Sequence, residues 1–316
     1  MDLTSKDVIQ KLCRAYNIRP LRECGQNFLI SRDVLDDMVE AADLKKDDII
    51  LEVGPGFGTL TLELAKRVKK VIAVEQDEIL INTLQENLKK ENINNVEIIE
   101  GSVLKLPTTR YQLLTANYRI VANLPYQITS RFLRQFLAEE NKPQDMMLMV
   151  QKEVAERICA KPGQMSLLAV SVQFYAKPEI VRVVSKDCFW PEPKVDSAIL
   201  KIVLKTKEEI TRILSANVIA SGAKQSSEIA APRKAGLAMT EVDFFKIVRN
   251  GFLHRRQKLV NNLSNAFRLD KNILQLQLKE MEIFENARAQ ELSMNQWIDL
   301  TKEILKLKGD KLRLTE

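Results

Sequence analysis

The stretch Glu52-Val53-Gly54-Pro55-Gly56-Phe57-Gly58 constrains this chain more than any other. It follows a short apolar run, Ile49-Ile50-Leu51-Glu52-Val53, and precedes Leu60, Leu64 and Val68 at four-residue spacing. The run predicts a buried strand, and the spacing predicts a helix over 59–68. Glycines at a strand-to-helix joint let the backbone turn tightly and approach a ligand with no Cβ in the way. The chain therefore starts its main fold with a strand, a ligand-cradling loop and a helix.

The pattern repeats downstream. Strands are predicted at 71–75, 96–99, 119–122 and 146–150, with a helix over 78–90. Strands alternating with helices imply right-handed crossovers and a parallel sheet, an α/β architecture. Two late strands, 179–184 and 198–204, have no long helix between them and read as an antiparallel hairpin at one sheet edge. Two helices precede the sheet, one over 5–16 capped by Ser5 and one begun by Ser31. Residues 215–238 are rich in Ala, Ser, Gly and Lys without a period. The expected division is therefore residues 1–205, a linker or insertion over 206–239, and a helical domain over 240–316. In that last part Phe244, Val248 and Phe252 form one stripe, and Ser293-Met294-Asn295-Gln296 resembles a capping box.

Composition narrows the class. No apolar run approaches the ~18 residues that would suggest a membrane span, and the first residues lack a signal-peptide core. Four cysteines without a CxxC pair argue against a disulfide framework or zinc knuckle, so a reduced cytoplasmic setting is expected; the chain is also expected to act as a monomer. The single histidine, His254, excludes a multi-histidine metal site and opposes a Ser-His-Asp mechanism. A net charge of +6 permits a nucleic-acid partner without establishing one.

Glu75 ends the second strand, placed to accept hydrogen bonds from ribose hydroxyls, and with the glycine loop it points to a nucleoside cofactor. The glycines fall as G-x-G-x-G, not the G-x-G-x-x-G of dinucleotide sites. Glu52, just before Gly54, offers a carboxylate to a cationic ligand, which favours S-adenosylmethionine. After the fourth strand comes Asn123-Leu124-Pro125-Tyr126, at the carboxyl edge where open α/β sheets bind ligands. The Asn123 amide oxygen and the Pro125 backbone carbonyl can each accept one N–H from an amine conjugated to an aromatic ring. That draws the nitrogen toward a tetrahedral shape and aims its lone pair. Tyr126 supplies a face for stacking on an extruded base. In-line displacement from sulfur then needs positioning more than a strong base.

Together these residues resemble the small-subunit enzyme of the ribosomal RNA adenine N6,N6-dimethyltransferase family. The resemblance also covers Gly25-Gln26-Asn27-Phe28-Leu29, the run Gln151 to Arg157, Phe189-Trp190-Pro191-Glu192-Pro193-Lys194-Val195-Asp196-Ser197, and Phe252-Leu253-His254-Arg255-Arg256-Gln257-Lys258. It implies a class I methyltransferase domain with a mostly parallel seven-stranded sheet and a small C-terminal helical domain. It implies dimethylation of two adjacent adenosines in a hairpin near the 3′ end of small-subunit rRNA, in the immature subunit. By position, Asn27, Leu29, Glu52, Gly54, Gly56, Glu75, Ser102 and Asn123 would hold the cofactor, and Tyr126 and Phe189 would sandwich the adenine. Arg14, Arg19, Arg22, Arg32, Lys194, Arg255, Arg256 and Lys258 are candidate RNA contacts, giving affinity and salt sensitivity.

Three departures stand out. Gly101-Ser102 replaces the family's usual aspartate after the third strand, Gln164 to Leu168 replaces a Gly/Arg-containing stretch, and 215–238 looks like extra sequence. Competing readings are a large-subunit rRNA adenine methyltransferase of the macrolide-resistance type, a non-catalytic RNA-binding assembly or transcription factor on the same fold, and a Rossmann oxidoreductase. The Arg255-Arg256 tail opposes the first, and the glycine spacing with Asn123–Tyr126 opposes the last.

Overall fold

A computed structural model describes residues 1–20, 26–105, 117–139, 141–215 and 239–309. Seven strands form the main sheet: β1 (Ile49–Val53), β2 (Lys70–Glu75), β3 (Val96–Glu100), β4 (Tyr118–Asn123), β5 (Asp145–Gln151), β6 (Ala176–Val184) and β7 (Ser197–Leu204). Their spatial order is β3-β2-β1-β4-β5-β7-β6. The first five run parallel, while β7 is antiparallel to both neighbours. The late hairpin forms as expected, with its second strand inserted against β5, so β6 is the edge.

The parallel strands are near-continuous apolar runs because both sheet faces are covered; Met146 to Val150 are all buried. The covering helices are α1 (Lys6–Ala15), α2 (Arg32–Ala41), α3 (Thr59–Ala65), α4 (Glu78–Lys90), α5 (Thr129–Ala138) and α6 (Lys152–Ile158). Val34, Leu35 and Met38 of α2 join Leu60 and Leu64 of α3 in one core cluster. Ile9 and Cys13 of α1 join Leu80, Leu84 and Leu88 of α4 in another. Ser5 and Ser31 do occupy the N-cap positions of α1 and α2, in extended backbone, but neither side chain bonds the helix. A separate two-residue antiparallel ladder pairs Phe28 with Trp190 and Leu29 with Phe189.

The strand order reverses at β1, which has β2 on one side and β4 on the other. At such a switch point the connections leave in opposite directions, and a crevice opens at the carboxyl ends of the strands.

The described residues divide into two compact units, 1–159 with 176–204, and 160–175 with 205–309. This differs from the expected boundary at one helix. α7 (Leu167–Tyr175), inside the expected 1–205 domain, belongs to the second unit. Its sequence is apolar nearly all round, and Ala169, Val170, Val172, Phe174 and Tyr175 are buried while the rest are half-buried. Phe174 stacks on Phe244 with ring centroids 4.5 Å apart. The expected linker begins with α8 (Lys207–Ser215), and residues 216–238 lie outside the described part. The remaining helices are α9 (Glu241–Gly251), α10 (Leu259–Phe267), α11 (Lys271–Glu280) and α12 (Met294–Lys308). The Ser293–Gln296 capping box forms as read, with Ser293 Oγ accepting from Gln296 N.

Candidate active site

The glycine loop leaves β1 in left-handed backbone, with φ of +68° at Gly54, +57° at Gly56 and +95° at Gly58. A Cβ at Gly58 would lie 2.6 Å from Leu84 Cδ1, so only glycine lets α3 begin against α4. The loop is tied down from outside. Asn87 Nδ2 donates to the Phe57 carbonyl at 2.9 Å, and Gly56 N donates to Glu75 Oε2 at 3.3 Å. Glu75 Oε1 accepts from Gln76 N and Asp77 N at 2.7 and 3.2 Å. Glu75 thus splints the loop to the end of β2 while lining the crevice. Burial raises its pKa, and those backbone donors pull it partly back.

A cavity of about 360 Å³ opens over this loop, lined by residues that include Asn27, Leu29, Glu52, Gly54, Glu75 and Asn123. That volume is within the range of small-molecule sites. Glu52 is only 2% exposed. Its Oε2 has no hydrogen-bond partner among the described residues. Burial pushes its pKa up to about 8, against the opposing pull of the Thr61 hydroxyl and with the charge of Glu75 adding. A buried carboxyl lacking partners is costly unless a ligand supplies donors or positive charge.

The second motif meets the first directly. A Cβ built on Gly54 would lie 3.7 Å from Pro125 Cδ, so loop and motif stand side by side along the same cavity. Asn123 Nδ2 donates to the Asn27 carbonyl at 3.2 Å. This fixes the amide's orientation through its nitrogen, so its oxygen is the acceptor it can offer a ligand. The Pro125 carbonyl already accepts from Ile128 N at 3.1 Å. A carbonyl carries two lone pairs, so one is left for an incoming N–H. The Tyr126 ring is half-buried, and its hydroxyl lies 2.6 Å from Ser197 Oγ.

Several expected residues sit elsewhere. Phe189 is 2% exposed and packs in the core with Leu29, Met38 and Val184. In this structure it presents no face for stacking, because the ladder to Leu29 turns it inward. Ser102 is half-buried just beyond β3 and is not among the residues lining the cavity. Arg32 pairs with Asp36 and Glu63, at 2.9 and 3.2 Å, so its charge is already answered within the protein. Arg14, Arg19, Lys194, Arg255, Arg256 and Lys258 are exposed, while Arg22 lies outside the described residues. Sequence reasoning missed Gln26, Met38, Thr59 and Asp77 as cavity residues. Asp77, two residues past the end of β2 and capping α4 through Ile79 N and Leu80 N, was the one with a signal to read.

The strand order, a glycine loop at the switch point and an Asn-Leu-Pro-Tyr turn against it define a class I methyltransferase. Among solved structures the chain resembles a dimethyladenosine transferase from Plasmodium falciparum, with TM-score 0.68 and 24% identity over 87% of this chain and 96% of that one. It also resembles the 23S rRNA methyltransferase ErmE, with TM-score 0.66 and 24% identity over 89% and 100%. In sequence it is 41% identical over 296 residues to a ribosomal RNA small subunit methyltransferase A from Dehalococcoides mccartyi, covering 93% of this chain and 91% of the relative. A protein of the same name from Alkaliphilus metalliredigens is 33% identical over 310 residues, covering 95% and 96%. The model of the ribosomal RNA adenine dimethylase family matches residues 18–213, and the chain belongs to that family.

The cofactor of the class is S-adenosylmethionine, and the residues present fit it. Glu52 brings a buried carboxyl with one oxygen lacking a partner among the described residues, suited to a cation, Glu75 a strand-end carboxylate, and the glycines an open backbone. When bound, this donor supplies an electrophilic methyl on positively charged sulfur.

Proposed function

We propose that the chain methylates the N6 amine of two adjacent adenosines in a hairpin near the 3′ end of small-subunit rRNA, acting in the cytoplasm as a monomer on the immature small subunit. The observation that carries this reading is that Gly54, Asn123 and Pro125 line one cavity, with the Asn123 amide held through its nitrogen. The cofactor loop and an amine-accepting turn are thereby one surface. Asn123 Oδ1 and the second lone pair of the Pro125 carbonyl receive the two amine protons, and Tyr126 stacks under the base. Asn27, Leu29, Glu52, Gly54, Gly56 and Glu75 hold the cofactor. Arg255, Arg256 and Lys258, with Arg14, Arg19 and Lys194, grip phosphates. Relatives that share the small-subunit name over more than nine-tenths of the chain support this substrate over large-subunit RNA.

Incubating the protein with methyl-labelled donor and small subunits that lack the modification tests the proposal. Label is expected in dimethyladenosine of small-subunit RNA. Label confined to large-subunit RNA, or none in adenosine, contradicts it.

A further inference from the structure

Tyr126 and Ser197 are far apart in the sequence, yet their hydroxyl oxygens are 2.6 Å apart. Ser197 is the first residue of β7 and is fully buried. It is an unusually fixed point. β7 is paired on both sides, with Ser197 opposite Gln151 of β5 and Val184 of β6. The residue before it is anchored too, since the Asp196 carbonyl accepts from Lys152 N at 3.0 Å and its Oδ1 from Lys186 N at 3.2 Å. Tyr126, by contrast, begins a single 3₁₀ turn, Tyr126–Ile128, and its ring is half-buried. A ring on such a short turn has one Cβ pivot. Its plane is defined only if a second point is held, and the hydroxyl is the far end of the ring.

We propose that Ser197 is a positioning residue for the methyl-transfer step, holding the Tyr126 ring in the plane on which the target adenine stacks. This rests on the reading of Tyr126 as the adenine platform. A tilted platform carries the amine off the line joining it to the methyl, and in-line displacement is sensitive to that angle. Phosphate contacts made elsewhere are untouched, so turnover falls while RNA affinity holds. The core of the sheet supplies the reference point, and the bond transmits its rigidity to a turn that has little of its own.

The test is a double-mutant cycle of Ser197→Ala and Tyr126→Phe in the full chain, with kcat and KM measured on immature small subunits and binding followed through a 2-aminopurine placed at the target adenosine. Each single variant is expected to lower kcat about fivefold to tenfold with KM nearly unchanged, the size of one neutral hydrogen bond. The double variant is expected to be no worse than either single one, because both remove the same bond. Stacking-dependent quenching of the 2-aminopurine should weaken in all three. Full kcat in Ser197→Ala, or losses that add in the double variant, would overturn the proposal. Should Ser197→Ala fail to fold, Tyr126→Phe breaks the bond from the other side, and a Tyr126→Phe enzyme with full kcat overturns it equally. Tyr126→Ala separates the two readings. If it keeps full turnover, the platform itself is wrong; if it abolishes turnover while Ser197→Ala does nothing, only the role of Ser197 fails.

Discussion

The two edges of the parallel sheet are built on opposite principles. At the amino edge, Arg119 is 8% exposed and every N–H of its guanidinium is used. Nε and one terminal nitrogen grip Asp145, the other reaches Asp48 and the Asp43 carbonyl, and the Ala42 carbonyl takes the last. These partners stand just after α2, just before β1 and at the start of β5, so one side chain pins neighbouring elements together. At the carboxyl edge, Glu52 is as deeply buried and has an oxygen with no partner among the described residues. A satisfied buried charge holds a fold. An unsatisfied buried polar group weakens it and marks where a ligand is to complete the set.

The largest effect should come from breaking the satisfied edge. Arg119→Ala leaves Asp48 and Asp145 facing each other without their cation and is expected to cost about 3 kcal/mol or more of stability. Urea unfolding measures it, and a loss below about 1 kcal/mol would mean the cluster is ornamental. Next, Asn123→Ala removes an acceptor from the reacting amine and should lower turnover about 100-fold. Filter binding to the same RNA should be unchanged, and equal loss of both would contradict the role given to the amide.

Glu52→Gln sharpens the comparison from the other side. The carboxyl titrates near 8 when folded against an ordinary 4.5. A raised acid favours the folded state fully below 4.5, and that contribution is lost as pH rises toward 8. The variant, which never ionises, should therefore outlast the wild type without ligand at pH 9, and by little at pH 5. Thermal melts at the two pH values read this, and a gain equal at both would be inconsistent with ionisation as the cause. The smallest effect concerns the exposed basic loop. Arg255→Ala with Arg256→Ala should flatten the log–log salt dependence of RNA binding by about one unit per lost phosphate contact, leaving turnover at saturation intact.

Much of this was legible in the sequence, for physical reasons. Buried parallel strands are apolar runs, and a left-handed loop needs glycine, so β1 to β5 and Gly54 to Gly58 could be read directly. The turn proposed to bind the amine carried its chemistry in Asn123 and Pro125. What could not be read depends on contacts between distant residues. Arg119 looks like a polar interruption in a strand until Asp48 and Asp145 are brought beside it. Phe189 reads as a stacking wall until its ladder with Leu29 turns it inward. α7 is apolar nearly all round, so it has no amphipathic face to announce which unit it joins. Ser197 closed a recognisable motif, but only the fold sets its hydroxyl against Tyr126.

The pH dependence of S-adenosylmethionine binding tests the contrast between the edges most directly. If Glu52 is the counter-charge for a cationic donor, binding draws the proton off its carboxyl. Calorimetric titrations should show affinity rising from pH 6 toward pH 8 and levelling above, with protons released below pH 8. In Glu52→Gln both the slope and the proton release should disappear. Affinity that is flat across this range in the wild type, or an identical slope in the variant, would contradict the account.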